Sequence, residues 1–217
     1  MMQAVGIIAD IVDSREMADR SAGQRAITDA FAEAETAVSP IRPAWATVGD
    51  EFQVIVATWQ DSLRLTLRMQ ALLPDGIQLR YGIGAGQINT IEQGESGPIQ
   101  DGTAWLNARA AIDEVEARQQ RRDDVMSGFC SDDVDLATAV SAQLMVRDHV
   151  LGRMKARERR LLSALLFGVT QQEAARNERI SQAAVSQTLH RSGAMALLDV
   201  DDMLAVSSDS ENSKEDA

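Results

Sequence analysis

The sequence is poor in several residues on which common kinds of protein chemistry depend. It contains one cysteine, Cys130, so no disulfide can form within the chain, and a reducing compartment is favoured. It contains two histidines, which gives little support to a histidine-rich zinc site or to a serine triad. Aromatic residues make up 4% of the chain, so the core must consist mainly of aliphatic side chains and Met.

Long apolar segments are also missing. The candidate near the start of the chain is interrupted by Asp10, and no run approaches the roughly 18 residues that a membrane-spanning helix needs. We therefore expect a cytoplasmic protein without membrane insertion. With 217 residues, 45% of them hydrophobic and 25% charged, the chain has the composition of a globular protein of one or two domains.

Charge is distributed unevenly along the chain. The net charge is −12, which argues against general nucleic-acid binding. Between Arg153 and Arg191, however, eight Lys and Arg residues accompany three Asp and Glu residues. This locally basic segment indicates a second module with a different partner.

Apolar periodicity in the first 90 residues predicts the order strand, helix, strand, strand, helix, strand. This is the βαββαβ pattern of ferredoxin-like domains, an antiparallel sheet with helices on one face. We predict an α+β fold in which a ferredoxin-like domain precedes a small all-α helix-turn-helix domain. The predicted bounds are 1–125 for the first domain, 126–152 for a helical connector, 153–200 for the helix-turn-helix and 201–217 for a disordered acidic tail.

Two aspartates stand where strands of the first domain end. Asp10 lies at the end of the first strand, and Asp50 lies at the tip of the following hairpin. Because the first strand of a βαββ unit lies between its neighbours, these carboxylates can converge and hold Mg²⁺, which in turn binds phosphate. A turn without a ligand stays open for Asp50 and for Asp13. Asp10 is harder to explain structurally, because an unpaired carboxylate in an apolar strand costs free energy.

Three segments resemble the catalytic domain of class III nucleotide cyclases: IIADIVDS (7–14), TVGDEFQVIV (47–56) and LRYGIGAGQI (79–88). The letters GDEF also resemble the hairpin signature of diguanylate cyclases. The resemblance implies a cyclase-type domain with Asp10 and Asp50 as metal ligands and with phosphates near the end of the first strand. The predicted nucleotide-binding residues are Ile11, Val12, Asp13, Ser14, Arg15 and Gly49.

The sequence departs from the cyclase pattern at positions that act on the base and on the transition state. The lysine that purine-selecting cyclases place three residues before the hairpin glycine is Ala46 here. Cyclases carry an Asn and an Arg four residues apart on a later helix. Here Arg109 is kept, whereas the partner position is Trp105, and Asn107 is out of register. Arg109 is therefore the catalytic candidate if the chain is an enzyme, and whether it is one stays open.

The pattern of the whole chain is most similar to the SatD family of bacterial proteins. The similarity lies in GIIADIVDSREMADR, TVGDEFQVIV, LRYGIGAG, DGTAWLNARAAI and a C-terminal helix-turn-helix, which together span roughly residues 3 to 198. This resemblance indicates a bacterial protein but implies no defined reaction.

The segment TQQEAARNERISQAAVSQTLHR (170–191) has the layout of a helix-turn-helix. Thr170 and Glu173 can form a capping box, and Ser181 can cap the second helix. The segment resembles region 4 of sigma factors, but Arg179 stands where those motifs have glycine, so we expect a looser or longer turn. The predicted DNA-binding residues are Gln182, Ala183, Ser186, Gln187, His190 and Arg191 on the second helix, with Arg159 and Arg160 on phosphates.

We therefore expect a cytoplasmic bacterial regulator that forms a homodimer. Its first domain binds a nucleotide or phosphate-bearing small molecule with Mg²⁺, and its helix-turn-helix binds double-stranded DNA. One alternative is an active Mg²⁺-dependent nucleotide-processing enzyme, a cyclase or a triphosphate hydrolase, whose C-terminal helices serve dimerisation. Another is a structural partner protein with no ligand for either module.

Overall fold

A computed structural model describes residues 2–14, 17, 19–47, 50–94, 97–122 and 124–215. No helix within these ranges is long and apolar enough to cross a membrane. In chain order the elements are β1 (Met2–Ile11), α1 (Arg20–Ala34), β2 (Arg42–Ala46), β3 (Glu51–Val56), α2 (Trp59–Leu72), β4 (Leu79–Gly94), β5 (Gly97–Asp101), α3 (Thr103–Gln119), β6 (Ser127–Cys130), α4 (Val134–Gly152), α5 (Ala156–Leu166), α6 (Gln171–Glu178), α7 (Gln182–Ser192) and α8 (Ala194–Glu215).

The sheet has the strand order β2-β3-β1-β4-β5. β1 lies between β3 and β4 and is antiparallel to both. This order confirms the predicted βαββαβ arrangement, because the first strand is central and the hairpin partner lies at one edge. β5 pairs with the second half of β4, and β6 runs parallel to its first half. Residues 127–130 therefore belong to the sheet, and the prediction that 126–152 is a helical connector is wrong for them.

The two faces of the sheet carry different helices. α1, α2 and α4 contribute to the core on one face, which contains Ile7, Phe31 and Leu65. α3 covers the other face, where Ile8 packs against Ile112. The prediction that the two helices of the βαββαβ unit lie on one face is therefore confirmed, and α3, which follows that unit, covers the other face. β1 is apolar on both sides because both of its faces are buried, so its continuous apolar run already indicated two covered faces.

The close approach of α3 to the sheet depends on three glycines of β4: Gly82, Gly84 and Gly86. A Cβ atom on Gly82 would lie 2.2 Å from the carbonyl oxygen of Ala108, and one on Gly84 would lie 2.2 Å from that of Ala104. These obstacles are backbone atoms, which cannot turn aside as a flexible side chain can. The Gly-x-Gly-x-Gly sequence therefore forms a trough in which the backbone of α3 lies against the strand.

The C-terminal helices pack on α2. Their apolar core contains Leu162, Val185 and Leu189 and extends to Leu67 of α2. The turn between α6 and α7 has three residues, which is a usual length for a helix-turn-helix. Arg179 takes the left-handed conformation at φ 55°, which glycine adopts at lower cost. The expected looser turn is therefore wrong.

α8 returns to α2 through buried polar contacts. The Nη1 and Nη2 atoms of Arg68 donate to Oδ1 and Oδ2 of Asp201 at 2.6 and 2.8 Å. Two helical turns later, Ser208 Oγ donates to Asp61 Oδ1 at 2.8 Å. The prediction of a disordered tail from residue 201 is therefore wrong as far as Ser208. Composition missed this segment because one face of the helix is held by buried polar contacts together with Leu204, which packs against the core.

Replacement of Gly84 by Ala should destabilise the protein by about 3 kcal/mol, since overpacking a well-packed interior costs roughly 1–3 kcal/mol or more. Urea denaturation followed by circular dichroism gives the free energy of unfolding. Gly152→Ala is the matched control, because a Cβ atom there meets the Asp124 Cβ at 3.8 Å, an ordinary contact. Equal stability of the two variants would contradict the close packing of the α3 backbone on Gly84.

Candidate functional site

The candidate ligand site lies at the end of the sheet where β1 stops and β3 begins. Asp10 and Glu51 are directly opposite each other across these strands. Asp50 immediately precedes β3, and its carboxylate is close enough to act electrostatically on Asp10. The structure therefore places the two predicted metal ligands together. The predicted residues Arg15 and Gly49 lie outside the described residues.

Electrostatic repulsion marks this end of the sheet, which we call the acidic edge (Asp10, Asp50 and Glu51). Burial raises the pKa of Asp10 above its usual value, and the Asp50 carboxylate raises it further. Arg80 opposes the rise, with Nε 3.4 Å from Asp10 Oδ2, but it also contacts Glu116 at 3.0 Å. A cation between the carboxylates would relieve this repulsion.

The residues at the acidic edge fit Mg²⁺ by their chemistry. Mg²⁺ prefers oxygen ligands and is often held by one or two carboxylates, with water and a substrate phosphate completing its shell. Asp10 and Asp50 supply two such groups. Within the described ranges no cluster of three or more His, Cys, Asp or Glu suited to a metal ion is found. Two carboxylates are the number with which proteins often hold a Mg²⁺ that also binds a substrate phosphate.

The remaining predicted nucleotide-binding residues follow the end of β1. Ile11 is buried in the core of the opposite face, so its backbone alone is available to a ligand. The N–H of Val12 donates to the carbonyl oxygen of Gln78 at 3.0 Å and is already used. Asp13 is exposed with a φ of 52°, and Ser14 is half-buried. The Val12 N–H is therefore not free for a phosphate, and Ser14 is the neutral polar side chain at this turn.

Arg109 reaches the acidic edge from α3. Its Nη2 donates to Glu51 Oε2 at 2.7 Å, while half of the Arg109 side chain stays exposed. This ion pair explains the orientation of Arg109 without any ligand. A phosphate can replace the carboxylate in such a pair, because guanidinium groups bind both by paired charge-assisted hydrogen bonds.

A cleft beside the acidic edge was missed by the sequence analysis. It has a volume of ≈ 230 Å³ and is lined by Ile8, Trp45, Gln53, Gln100, Trp105, Leu106 and Arg109. Trp45 comes from β2 and Trp105 from α3, so no local motif connects them. The sequence shows only that tryptophan is rare, with three in the chain. That two of the three meet at one cleft is visible only in the structure.

The predicted base-reading side chains of α7 lie on its outer surface. Val185 and Leu189 are buried and fix the helix on α5 and α8. Ser186 is half-buried, and the exposed members of the predicted set are Gln182, Ala183, Gln187, His190 and Arg191. DNA contact by these residues stays a prediction, and the fold leaves this face uncovered within the described chain.

The two arginines predicted to hold phosphates are engaged elsewhere. Arg160 forms a bidentate pair with Glu178, with Nε–Oε1 and Nη2–Oε2 distances of 2.7 and 2.8 Å. Arg159 contacts Asp75, in the turn after α2. These pairs tie α5 to α6 and to the sheet domain. We therefore assign Arg159 and Arg160 a structural role, in which their ion pairs hold the helix-turn-helix in place.

Comparison with known proteins gives a family and distant structural likenesses. The sequence model of the SatD family matches residues 4–199. A crystal structure of the catalytic core of a rhodopsin-guanylyl cyclase with converted specificity, in complex with ATPαS, is similar with a TM-score of 0.36 and 13% identity. That similarity covers 50% of this chain and 70% of the cyclase chain. No curated protein matches the chain. The family resemblance seen in the sequence is therefore confirmed.

The repulsion at the acidic edge predicts how stability depends on pH. The folded state holds the Asp10 proton more tightly than the unfolded chain, so ionisation of Asp10 lowers stability as the pH rises through its folded pKa. Without metal at pH 7, Asp10→Asn should melt higher than wild type by a few degrees, since about 1 kcal/mol corresponds to roughly 2–4 °C at this size.

Differential scanning calorimetry measures this difference, which should disappear below about pH 3.9, the ordinary pKa of Asp. Asp113→Asn makes the same chemical change on the exposed surface of α3 and is the control. A wild type that is at least as stable as Asp10→Asn at pH 7 would show that the acidic edge carries no unrelieved repulsion.

Proposed function

The chain belongs to the SatD family, and we propose that it is a cytoplasmic bacterial regulator with two binding parts. Its helix-turn-helix binds double-stranded DNA through α7. Its sheet domain binds a nucleotide or another phosphate-bearing small molecule with Mg²⁺ at the acidic edge. The exposed polar surface of α7 is the observation that carries the proposal.

The chemistry of α7 suits the major groove. Gln182 and Gln187 carry amides that can pair with the edge of adenine, and both are exposed. The hydroxyl of Ser181 accepts from the N–H of Ala184 at 3.1 Å and fixes the start of the helix. A recognition helix reads bases mainly through its N-terminal residues, so a fixed start supports this use.

Positive charge flanks the same surface. Arg179 precedes α7 and Arg191 lies in its last turn, and both are exposed. Contacts from such residues to phosphates orient a protein on DNA without reading its sequence. Because one small module makes few phosphate contacts, we propose that the protein acts as a homodimer on two half-sites.

The DNA proposal predicts a charge-dependent change in affinity. Fluorescence anisotropy of a labelled random-sequence duplex, measured between about 50 and 200 mM salt, should show binding that weakens with salt. Arg191→Ala should weaken binding and reduce the slope of log affinity against log salt by about 1 for each phosphate that the variant no longer neutralises.

Arg118→Ala on α3 is the matched control, since it removes the same charge from an exposed site in the sheet domain. Equal affinities of Arg191→Ala and Arg118→Ala would contradict the assigned surface. Absence of any duplex binding by the wild type would contradict the DNA part of the proposal altogether.

The ligand part of the proposal is supported by the repulsion between Asp10 and Asp50. Carboxylates with pKa values shifted by burial and by a like charge cluster at functional sites. A metal ion between these carboxylates would offset their repulsion, and Arg109 could hold phosphate oxygens of its ligand. The same groups also allow a second function.

The second candidate is a Mg²⁺-dependent nucleotide-processing enzyme. The observation that favours it is the position of Arg109 beside the predicted metal ligands, where it could neutralise charge in phosphoryl transfer. If it is correct, a nucleoside triphosphate with Mg²⁺ should be turned over, and Asp50→Asn should abolish turnover, as followed by chromatography of the products. Asp113→Asn should leave the rate unchanged. Absence of turnover with all four nucleotides would contradict this second candidate and would leave a protein that binds a nucleotide without converting it.

A further inference from the structure

The cleft beside the acidic edge, which we call the tryptophan cleft, has the size and walls of a small-molecule site. Its volume is ≈ 230 Å³. A single bound water needs about 10–15 Å³ by a comparable measure, so the cleft accommodates a ligand of many atoms. Its walls combine two indole rings and two aliphatic side chains with Gln53, Gln100 and Arg109, so a ligand there can make both apolar contacts and hydrogen bonds.

Its aromatic walls are held in place before any ligand binds. The rings of Trp45 and Trp105 meet edge to face at 84°, with centroids 6.0 Å apart. The guanidinium carbon of Arg42 lies 3.6 Å from the centroid of the Trp45 ring. On the other wall, Trp105 packs over Gly6, where a Cβ atom would lie 3.0 Å from the indole. Such fixed rings lose little freedom when a planar ligand binds.

Two buried polar atoms of the cleft residues have no hydrogen-bond partner among the described residues. They are the Nε1 donor of Trp105 and the Oε1 acceptor of Gln100. Buried polar groups are normally paired, so an unpaired donor and an unpaired acceptor at one cleft call for an explanation. Both atoms have almost no accessible surface, so they are enclosed in the cleft walls and do not themselves face a ligand.

The cleft continues directly into the acidic edge. Its floor is a row of opposed residues across three strands: Trp45, Gln53 and Ile8. Two residues further along the same strands lie Glu51 and Asp10, about 7 Å away at the usual rise of a strand. Arg109 lines the cleft and also pairs with Glu51, so it stands between the two places.

We infer that the tryptophan cleft binds a nucleobase, the planar nitrogen heterocycle of a nucleotide whose phosphates lie at the acidic edge. This inference rests on the proposed function for the phosphates. The aromatic rings contact the base, and the polar side chains that line the cleft, Gln53, Gln100 and Arg109, form hydrogen bonds with its edge. Aromatic contacts of this kind accept every base, because each base has a π-face. The base therefore contributes affinity, and the hydrogen bonds select among bases.

Tryptophan fluorescence of the full chain tests the inference. The background variant is Trp59→Phe, since Trp59 packs on the opposite face of the sheet and would contribute unrelated emission. The probes are the four nucleoside triphosphates, the four nucleosides and inorganic triphosphate, each titrated with Mg²⁺. Within this background the test variants are Trp45→Leu, Trp105→Phe and the pair Asp10→Asn with Asp50→Asn. Circular dichroism and a melting curve confirm that each variant is folded.

We expect at least one nucleoside triphosphate to quench the emission and to bind about tenfold or more tightly than inorganic triphosphate. Trp45→Leu should remove most of this advantage and leave the affinity for inorganic triphosphate unchanged, as measured by calorimetry. Trp105→Phe reduces the aromatic area of the cleft and should weaken nucleotide binding about fivefold. Should Trp45→Leu fail to fold, Trp105→Phe and Gln100→Leu carry the same comparison.

The outcomes separate this inference from the function on which it rests. If nucleotides and inorganic triphosphate bind equally, and Asp10→Asn with Asp50→Asn abolishes both, the phosphate site stands and the tryptophan cleft does not bind a base. If nucleosides bind with dependence on Trp45 while inorganic triphosphate does not bind, the cleft stands and the phosphate site is wrong. If no probe binds, both are overturned.

Discussion

The contact of the α3 backbone with β4 determines where most of the candidate site lies. Gly82 and Gly84 leave no side chain on the strand, so carbonyl groups of α3 come within the distance that a Cβ atom would fill. A helix held this close cannot slide without meeting side chains on the same strand. Trp105 and Arg109 lie one turn apart on this helix, and both are therefore carried to the α3 face of the sheet. The tryptophan cleft and the Arg109–Glu51 pair are consequences of that approach.

A second constraint joins the two halves of the chain through α2. One side of this helix contributes to the core beneath the sheet, while Leu67 belongs to the core of the C-terminal helices. Arg68 is 3% exposed and binds Asp201 of α8 and the carbonyl oxygen of Leu166. Removal of one partner from such a buried pair costs about 3–5 kcal/mol, so the contact resists separation. The helix-turn-helix is therefore mounted on the sheet domain through polar and apolar contacts together.

The sequence was sufficient for features that depend on neighbouring residues. Periodicity predicted the βαββ order, and capping residues such as Thr170 and Ser181 predicted the starts of α6 and α7. Strand topology then brought Asp10 and Asp50 together, as expected from the central place of β1. Arg179 was misjudged because it takes the left-handed conformation itself, which costs a side-chain-bearing residue about 1–2 kcal/mol but does not require glycine.

Features that depend on distant residues were missed. Arg68 and Asp201 lie 133 positions apart, and nothing in either neighbourhood indicates the other. Trp45 and Trp105 likewise meet only after α3 has folded over the sheet. The acidic composition of α8 suggested disorder, because hydropathy cannot count hydrogen bonds made to buried partners such as Asp61. Contacts between residues far apart in the sequence therefore form the tryptophan cleft, and local sequence patterns could not predict them.

Hydrogen–deuterium exchange on the full chain tests most directly whether the protein has two separate binding surfaces. Exchange would be followed for the protein alone, with Mg²⁺ and a nucleoside triphosphate, and with a DNA duplex, since bound segments open less often. We expect the nucleotide to slow exchange at the end of β1, the start of β3 and the first turns of α3, and DNA to slow exchange in α6 and α7. Slowed exchange confined to other segments, or no change with either addition, would contradict the two binding surfaces.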